Sequence, residues 1–83
     1  MTESHQLYND MLSALREKRF ERLAIKRLDA KCYLVIFVDG RSLVFADHAG
    51  KKKQYRHAWQ IRSWLKKAFG ISADALPVEP IHL

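Results

Sequence analysis

The chain has 83 residues, with 15 Lys or Arg against 9 Asp or Glu and a net charge of +6. That length makes one domain with a single core, spanning residues 1–83, and leaves no room for a second. The lone cysteine, Cys32, excludes an internal disulfide, and without a His cluster beside it excludes a structural zinc site.

The first residues, Met1 to Gln6, are polar and lack the apolar core of a signal peptide. The longest apolar run, Cys32 to Val38, has seven residues, far below a membrane span. These features read as a cytoplasmic, reduced protein with no membrane partner.

Tyr8, Met11, Leu12 and Leu15 recur at helical spacing and predict an amphipathic helix over about 4–18. Leu23 and Ile25 alternate with Arg22, Ala24 and Lys26, which predicts a first strand over about 21–28. Asp29-Ala30-Lys31 makes a tight connection into a central strand, Cys32 to Val38, rich in β-branched and aromatic residues. Asp39-Gly40 is the strongest hairpin signal, because a type I′ turn needs positive φ at both central positions. Arg41 to Ala46 then returns as the third strand.

A two-residue loop fixes the pairing, setting Val38 against Arg41, Ile36 against Leu43 and Val35 against Val44. Both faces of this hairpin are apolar, whereas a half-exposed antiparallel sheet alternates apolar with polar. Each face therefore calls for a cover: a helix on each side, or one helix and a second subunit.

Lys51 to Arg56 is a candidate short fourth strand, whose lysines would discourage edge pairing. A final helix over about 57–69 carries a core stripe of Ala58, Ile61, Leu65 and Ala68, widened by Trp64 and Phe69, with Gly70 as its C-terminal stop. The tail, 71–83, has two pre-proline positions and is expected to be extended.

Charge is concentrated. Between Lys51 and Lys67 there are seven basic residues and no acidic one, interleaved with Tyr55, Trp59 and Trp64. A concentrated positive field attracts polyanions, and exposed aromatics among cations stack on bases. On the final helix Arg56, Gln60, Ser63, Lys66 and Lys67 fall opposite the core stripe, with Trp59 among them. The candidate nucleic-acid contacts are thus Lys51, Lys52, Lys53, Arg56, Lys66 and Lys67 on phosphates, with Trp59 stacking on a base or sugar. A solvated face that keeps the protein in solution is the plainer account of the same residues. A second basic group between Arg16 and Lys31 is offset by Glu17, Glu21 and Asp29 and reads as a mixed-charge surface.

The four histidines, His5, His48, His57 and His82, have no metal-ligand spacing. Cys32 reads as inert core. Asp39 and Asp47 are accounted for by turns, and Ser42 and Ser63 lack a Gly-x-Ser-x-Gly context. The sequence carries no enzyme signature and calls for no cofactor.

The order helix, three strands, helix, with Lys51, Lys52 and Lys53 before the last helix, is similar in topology to the double-stranded RNA-binding domain, which implies phosphate contacts by those lysines. Asp29-Ala30-Lys31 carries none of that family's Gly-Pro-x-His finger. The chain more closely resembles small gammaproteobacterial proteins of unassigned activity. The matching residues are Tyr33-Leu34-Val35, Gly40-Arg41, Asp47-His48-Ala49-Gly50-Lys51, Tyr55 to Leu65, and Leu76-Pro77-Val78 through His82. That resemblance implies a helix, a strand, a Tyr-Leu hairpin, a glycine turn and a final helix, and implies nothing about mechanism.

The expectation is an α+β fold: an N-terminal helix, an antiparallel meander of three strands with a possible fourth, and a C-terminal helix packed on the sheet. The leading function is non-catalytic binding of DNA or RNA. The alternative is a homodimeric interaction module whose interface is the apolar sheet face of Tyr33, Val35, Phe37 and Val44.

Overall fold

The apolar spacing of the N-terminal segment produces helix α1 (Glu3–Glu17), whose stripe of Met11, Ala14 and Leu15 is buried. The computed structural model describes residues 3–74 and 76–80. Lys18 leaves the helix in the left-handed region (φ 56°), and four residues later the chain enters strand β1 (Arg22–Leu28). Asp29 (φ 57°) makes the tight turn into β2 (Lys31–Val38). Asp39 and Gly40 both have positive φ, 53° and 72°, as a type I′ hairpin requires, and β3 (Arg41–Val44) follows. The amide of Gly40 donates to Glu21 Oε1 at 2.9 Å, which ties the hairpin tip to the start of β1.

The hairpin register matches the sequence expectation: Val35 faces Val44, Ile36 faces Leu43, Phe37 faces Ser42 and Val38 faces Arg41. Strand β1 pairs antiparallel on the other side of β2, setting Ile25 against Leu34 and Leu23 against Ile36. The third strand is shorter than the expected 41–46. It ends at Val44, although Phe45 still donates its amide to Leu34 O at 2.8 Å.

The fourth strand is not the lysine segment. Residues 51–56 make only isolated bridges, Ala46 with Lys52 and Cys32 with Tyr55. The sheet instead gains β4 (Val78–Pro80) from the tail, parallel to β1, in the order β3-β2-β1-β4. Proline suits an edge strand because it has no amide to leave unpaired.

Helix α2 (Ala58–Phe69) lies between β3 and β4 in the chain and buries Ile61 and Leu65. Gly70 stops it at φ 67°, donating to Lys66 O while Ile71 donates to Leu65 O, so the last carbonyls find partners. Ala68, expected in the core stripe, is exposed; Ala58, Trp64 and Phe69 are partly buried against the core. Arg62 Nη2 donates to Leu76 O at 2.9 Å, and the amide of Ile25 donates to Pro77 O at 3.2 Å. These two bonds tie the tail to α2 and to β1.

The core joins Met11 and Leu15 of α1, Leu23 and Ile25 of β1, Cys32, Leu34 and Ile36 of β2, Phe45, and Ile61 and Leu65 of α2. The strand residues in that set alternate along β1 and β2, so they share one face of the sheet. Both helices therefore pack on the same face. Of the two covers the sequence left open, a helix on each side does not form. The opposite face, with Tyr33, Val35, Phe37 and Val44, carries no helix among the described residues.

This arrangement predicts an asymmetry along β2. In urea unfolding, Leu34→Ala and Ile36→Ala each lower stability by about 2–5 kcal/mol. The neighbouring Phe37→Leu, on the helix-free face, costs less than about 1.5 kcal/mol. Equal losses at the three positions would mean that both faces are covered.

Candidate nucleic-acid interface

Among the described residues β3 is an edge strand, and the basic segment follows it after the turn at residues 47–50. Asp47 organises the turn. Its Oδ1 accepts the amides of Ala49 at 3.0 Å and Lys51 at 2.9 Å, and the Gly50 amide donates to its backbone carbonyl at 2.9 Å. The hydrogen bond from Lys51 is the main reason the Asp47 carboxyl is held below its ordinary value of 3.8; partial burial opposes it, while the Ala49 amide and the charges of His48 and Lys53 add to it. The Lys53 amide then donates to Phe45 O at 3.0 Å, so the backbone of the lysine run is anchored while all three side chains are exposed. Lys51, Lys52 and Lys53 line a shallow depression with Asp47 and Gln54.

Tyr55 pairs with Cys32 through two backbone bonds, 2.7 and 2.9 Å, and its half-buried ring packs against the core. Burial, with a smaller effect from Tyr8, pushes its hydroxyl above the usual value of 10.0. Arg56 and Lys31 line a second depression with Gln54 and Tyr55, and Lys31 Nζ donates to Gln54 Oε1 at 2.8 Å. The start of α2 is fixed by Gln60, whose side-chain oxygen accepts the amides of Arg56 at 3.1 Å and His57 at 3.0 Å.

Trp59 is 62% exposed, and its ring stacks on His57 with centroids 6.2 Å apart and planes 13° apart. It lines a third depression with Trp64, Lys67 and Ala68. Lys66 and Lys67 occupy the last turn of α2, where the helix dipole favours cations, and both are exposed. Among the described residues, none of Lys51, Lys52, Lys53, Arg56, Lys66 or Lys67 forms an ion pair. Arg62, the remaining cation of the block, is partly buried and committed to Leu76.

The seven candidate contacts thus divide into three groups: the lysine run at the β3 edge, Arg56 at the start of α2, and Trp59 with Lys66 and Lys67 along the helix. The structure also displays side chains that sequence reasoning passed over. On the helix-free face Arg22 lies over the Phe37 ring, 4.0 Å from its centroid. Lys26 pairs with Glu79 of β4 at 2.5 Å, with Arg22 at 4.0 Å from the same carboxylate, and these cations hold Glu79 below its usual 4.5. The β1–β2 register, counted back from the Asp29-Ala30 turn, was the signal that would have set Arg22 beside Phe37 and Lys26 beside Tyr33.

Among the described residues no three His, Cys, Asp or Glu side chains gather as a metal set, and no helix is long and apolar enough to cross a membrane. A cleft of about 160 Å³ lies between α1 and the hairpin, lined by Asp10, Arg19, Asp39 and Arg41 among others. It is smaller than the roughly 300 Å³ at which ligand pockets begin. Comparison with protein-family models, with curated proteins and with solved structures gave no match.

The Asp47 turn carries a pH prediction. A carboxyl whose folded value is lowered contributes its stabilisation fully above the ordinary 3.8 and loses it as pH falls through the lower folded value. In an acid titration followed by NMR, the amides of Ala49 and Lys51 should shift together with a midpoint below 3.8. Asp47→Ala should abolish that transition and speed hydrogen exchange at both amides.

Proposed function

We propose that the protein binds nucleic acid without catalysis, in the cytoplasm, through the basic surface that runs from the lysine segment onto α2. The observation that carries the reading is the set Lys51, Lys52, Lys53, Arg56, Lys66 and Lys67, all exposed and without an ion-pair partner among the described residues, with Trp59 open beside them. Unpaired cations keep their full charge for phosphates, and releasing the counterions of the polyanion supplies the affinity. The anchored backbone of residues 51–57 supports this reading, because side chains on a fixed backbone lose less freedom on binding. Trp59 adds a stacking surface that does not discriminate between bases.

A second reading is a homodimer formed through Tyr33, Val35, Phe37 and Val44. The observation in its favour is that neither helix covers that face.

Fluorescence anisotropy with labelled duplex DNA, duplex RNA and single strands tests the first reading. Six phosphate contacts give a slope of log K against log salt of roughly −5 on duplex DNA. The triple variant Lys51→Glu, Lys52→Glu, Lys53→Glu should lower affinity by more than tenfold and flatten that slope. An absence of binding by the parent protein at low salt would reject nucleic acid as the partner. Light scattering addresses the second reading, which requires a dimer at micromolar concentration.

A further inference from the structure

We infer that the helix-free sheet face is a second nucleic-acid surface, and that it takes an unpaired strand. The inference rests on the nucleic-acid reading above and assigns it a substrate class.

The argument starts from register. Cα partners across β1 and β2 set Arg22 beside Phe37, Ala24 beside Val35 and Lys26 beside Tyr33. Each aromatic on this face thus has a cation as its cross-strand neighbour, about 5 Å away at Cβ. The two pairs are four residues apart on β2, about 13 Å along the strand, and the small pair Ala24 and Val35 keeps the surface between them low. An aromatic with an adjacent cation is what a nucleotide needs: a plane for its base and a charge for its phosphate. Arg22 already lies over the Phe37 ring, 4.0 Å from its centroid, and its guanidinium offers a base a second stacking plane.

Charge decides between a nucleic acid and a second copy of the chain. The strand positions on this face carry Arg22, Lys26 and Lys31 against a single carboxylate, Glu79. Two copies packed face to face would bring like charges together over a small apolar centre. A polyanion meets complementary charge instead, and its phosphates would compete with Glu79 for Lys26 and Arg22.

Continuity supports the same occupant. Lys31 is bonded to Gln54, and Lys31 and Arg56 share a depression. The face therefore runs without interruption from Phe37, past Tyr33, into the basic segment. A duplex is too thick and too stiff to present bases to a sheet, so only an unpaired strand can use both aromatics.

The test uses full-length protein with labelled oligothymidylate and oligouridylate of about twelve nucleotides, and a duplex of the same length. Tyr33→Leu and Phe37→Leu keep the apolar bulk and remove the stacking plane. Each should weaken both single strands by about fivefold or more and leave the duplex unchanged, while the lysine triple variant weakens all three. Independently of any variant, a strand carrying photoreactive 4-thio-pyrimidines should cross-link to the tryptic peptide 32–41, which holds both aromatics.

Cross-links confined to residues 51–67, with both Leu variants binding as the parent does, would overturn the inference and leave the basic-surface reading standing. Failure of the parent protein to bind any of the three probes would overturn both. A stable dimer that single strands do not dissociate, with no cross-link on 32–41, would assign the face to a second copy and also overturn it. A preference between the thymidylate and uridylate arms would say whether DNA or RNA is the natural strand.

Discussion

The parallel pairing of β4 with β1 governs the architecture. Two parallel neighbours cannot be joined by a tight turn; the chain between them must cross the sheet. Here that path includes β2, β3 and α2, and α2 makes the crossing over the face that holds Leu34 and Ile36. Gly70 stops the helix, and Arg62 holds the tail by the Leu76 carbonyl as it turns back toward β1. Helix α1 takes the same face, with only four residues, Lys18 to Glu21, between it and β1. With both helices committed, nothing remains in the described chain to cover the other side.

That distribution resolves an apparent contradiction in β2. Its residues are apolar on both faces, a pattern that ordinarily marks a strand buried from both sides. One set, Cys32, Leu34 and Ile36, is fully buried under the helices. On the other set, Val35 is only 5% exposed although no helix lies above it. Its larger neighbours on the same face, Tyr33 and Phe37, and its cross-strand partners Ala24 and Val44 lie close around it. The result is a low apolar floor with aromatic and cationic side chains at its margins, a surface rather than a second core.

Much of this was legible in the sequence, for local reasons. Asp39-Gly40 admits essentially one hairpin geometry, so the β2–β3 register followed from two residues. The spacing of Met11 and Leu15, and of Ile61 and Leu65, gave the helices and their buried stripes. What was not legible depended on distant partners. Val78-Glu79-Pro80 has no period of its own and two prolines nearby, and it becomes a strand only because β1 has a free edge. The lysine run had the look of a strand yet makes only isolated bridges, because β3 ends at Val44 and Tyr55 takes the place beside Cys32. The side chosen by α1 could not be read, since a four-residue connection permits either face.

The electrostatics follow the same division between local and distant effects. A count of charges treats the seven cations of 51–67 as one block, but the fold assigns them different work. Arg62 is drawn inward to a backbone carbonyl and becomes structural. Lys51, Lys52 and Lys53 are held at the sheet edge by the Asp47 turn and by the Lys53 amide, and Lys66 and Lys67 sit where the end of α2 favours positive charge. Meanwhile three cations outside the block, Arg22, Lys26 and Lys31, share the helix-free face, and among the described residues Glu79 is the one carboxylate paired with any of them. The positive surface is therefore wider than the run that first suggests it, and it reaches the helix-free face, where the partly buried rings of Tyr33 and Phe37 stand beside cations.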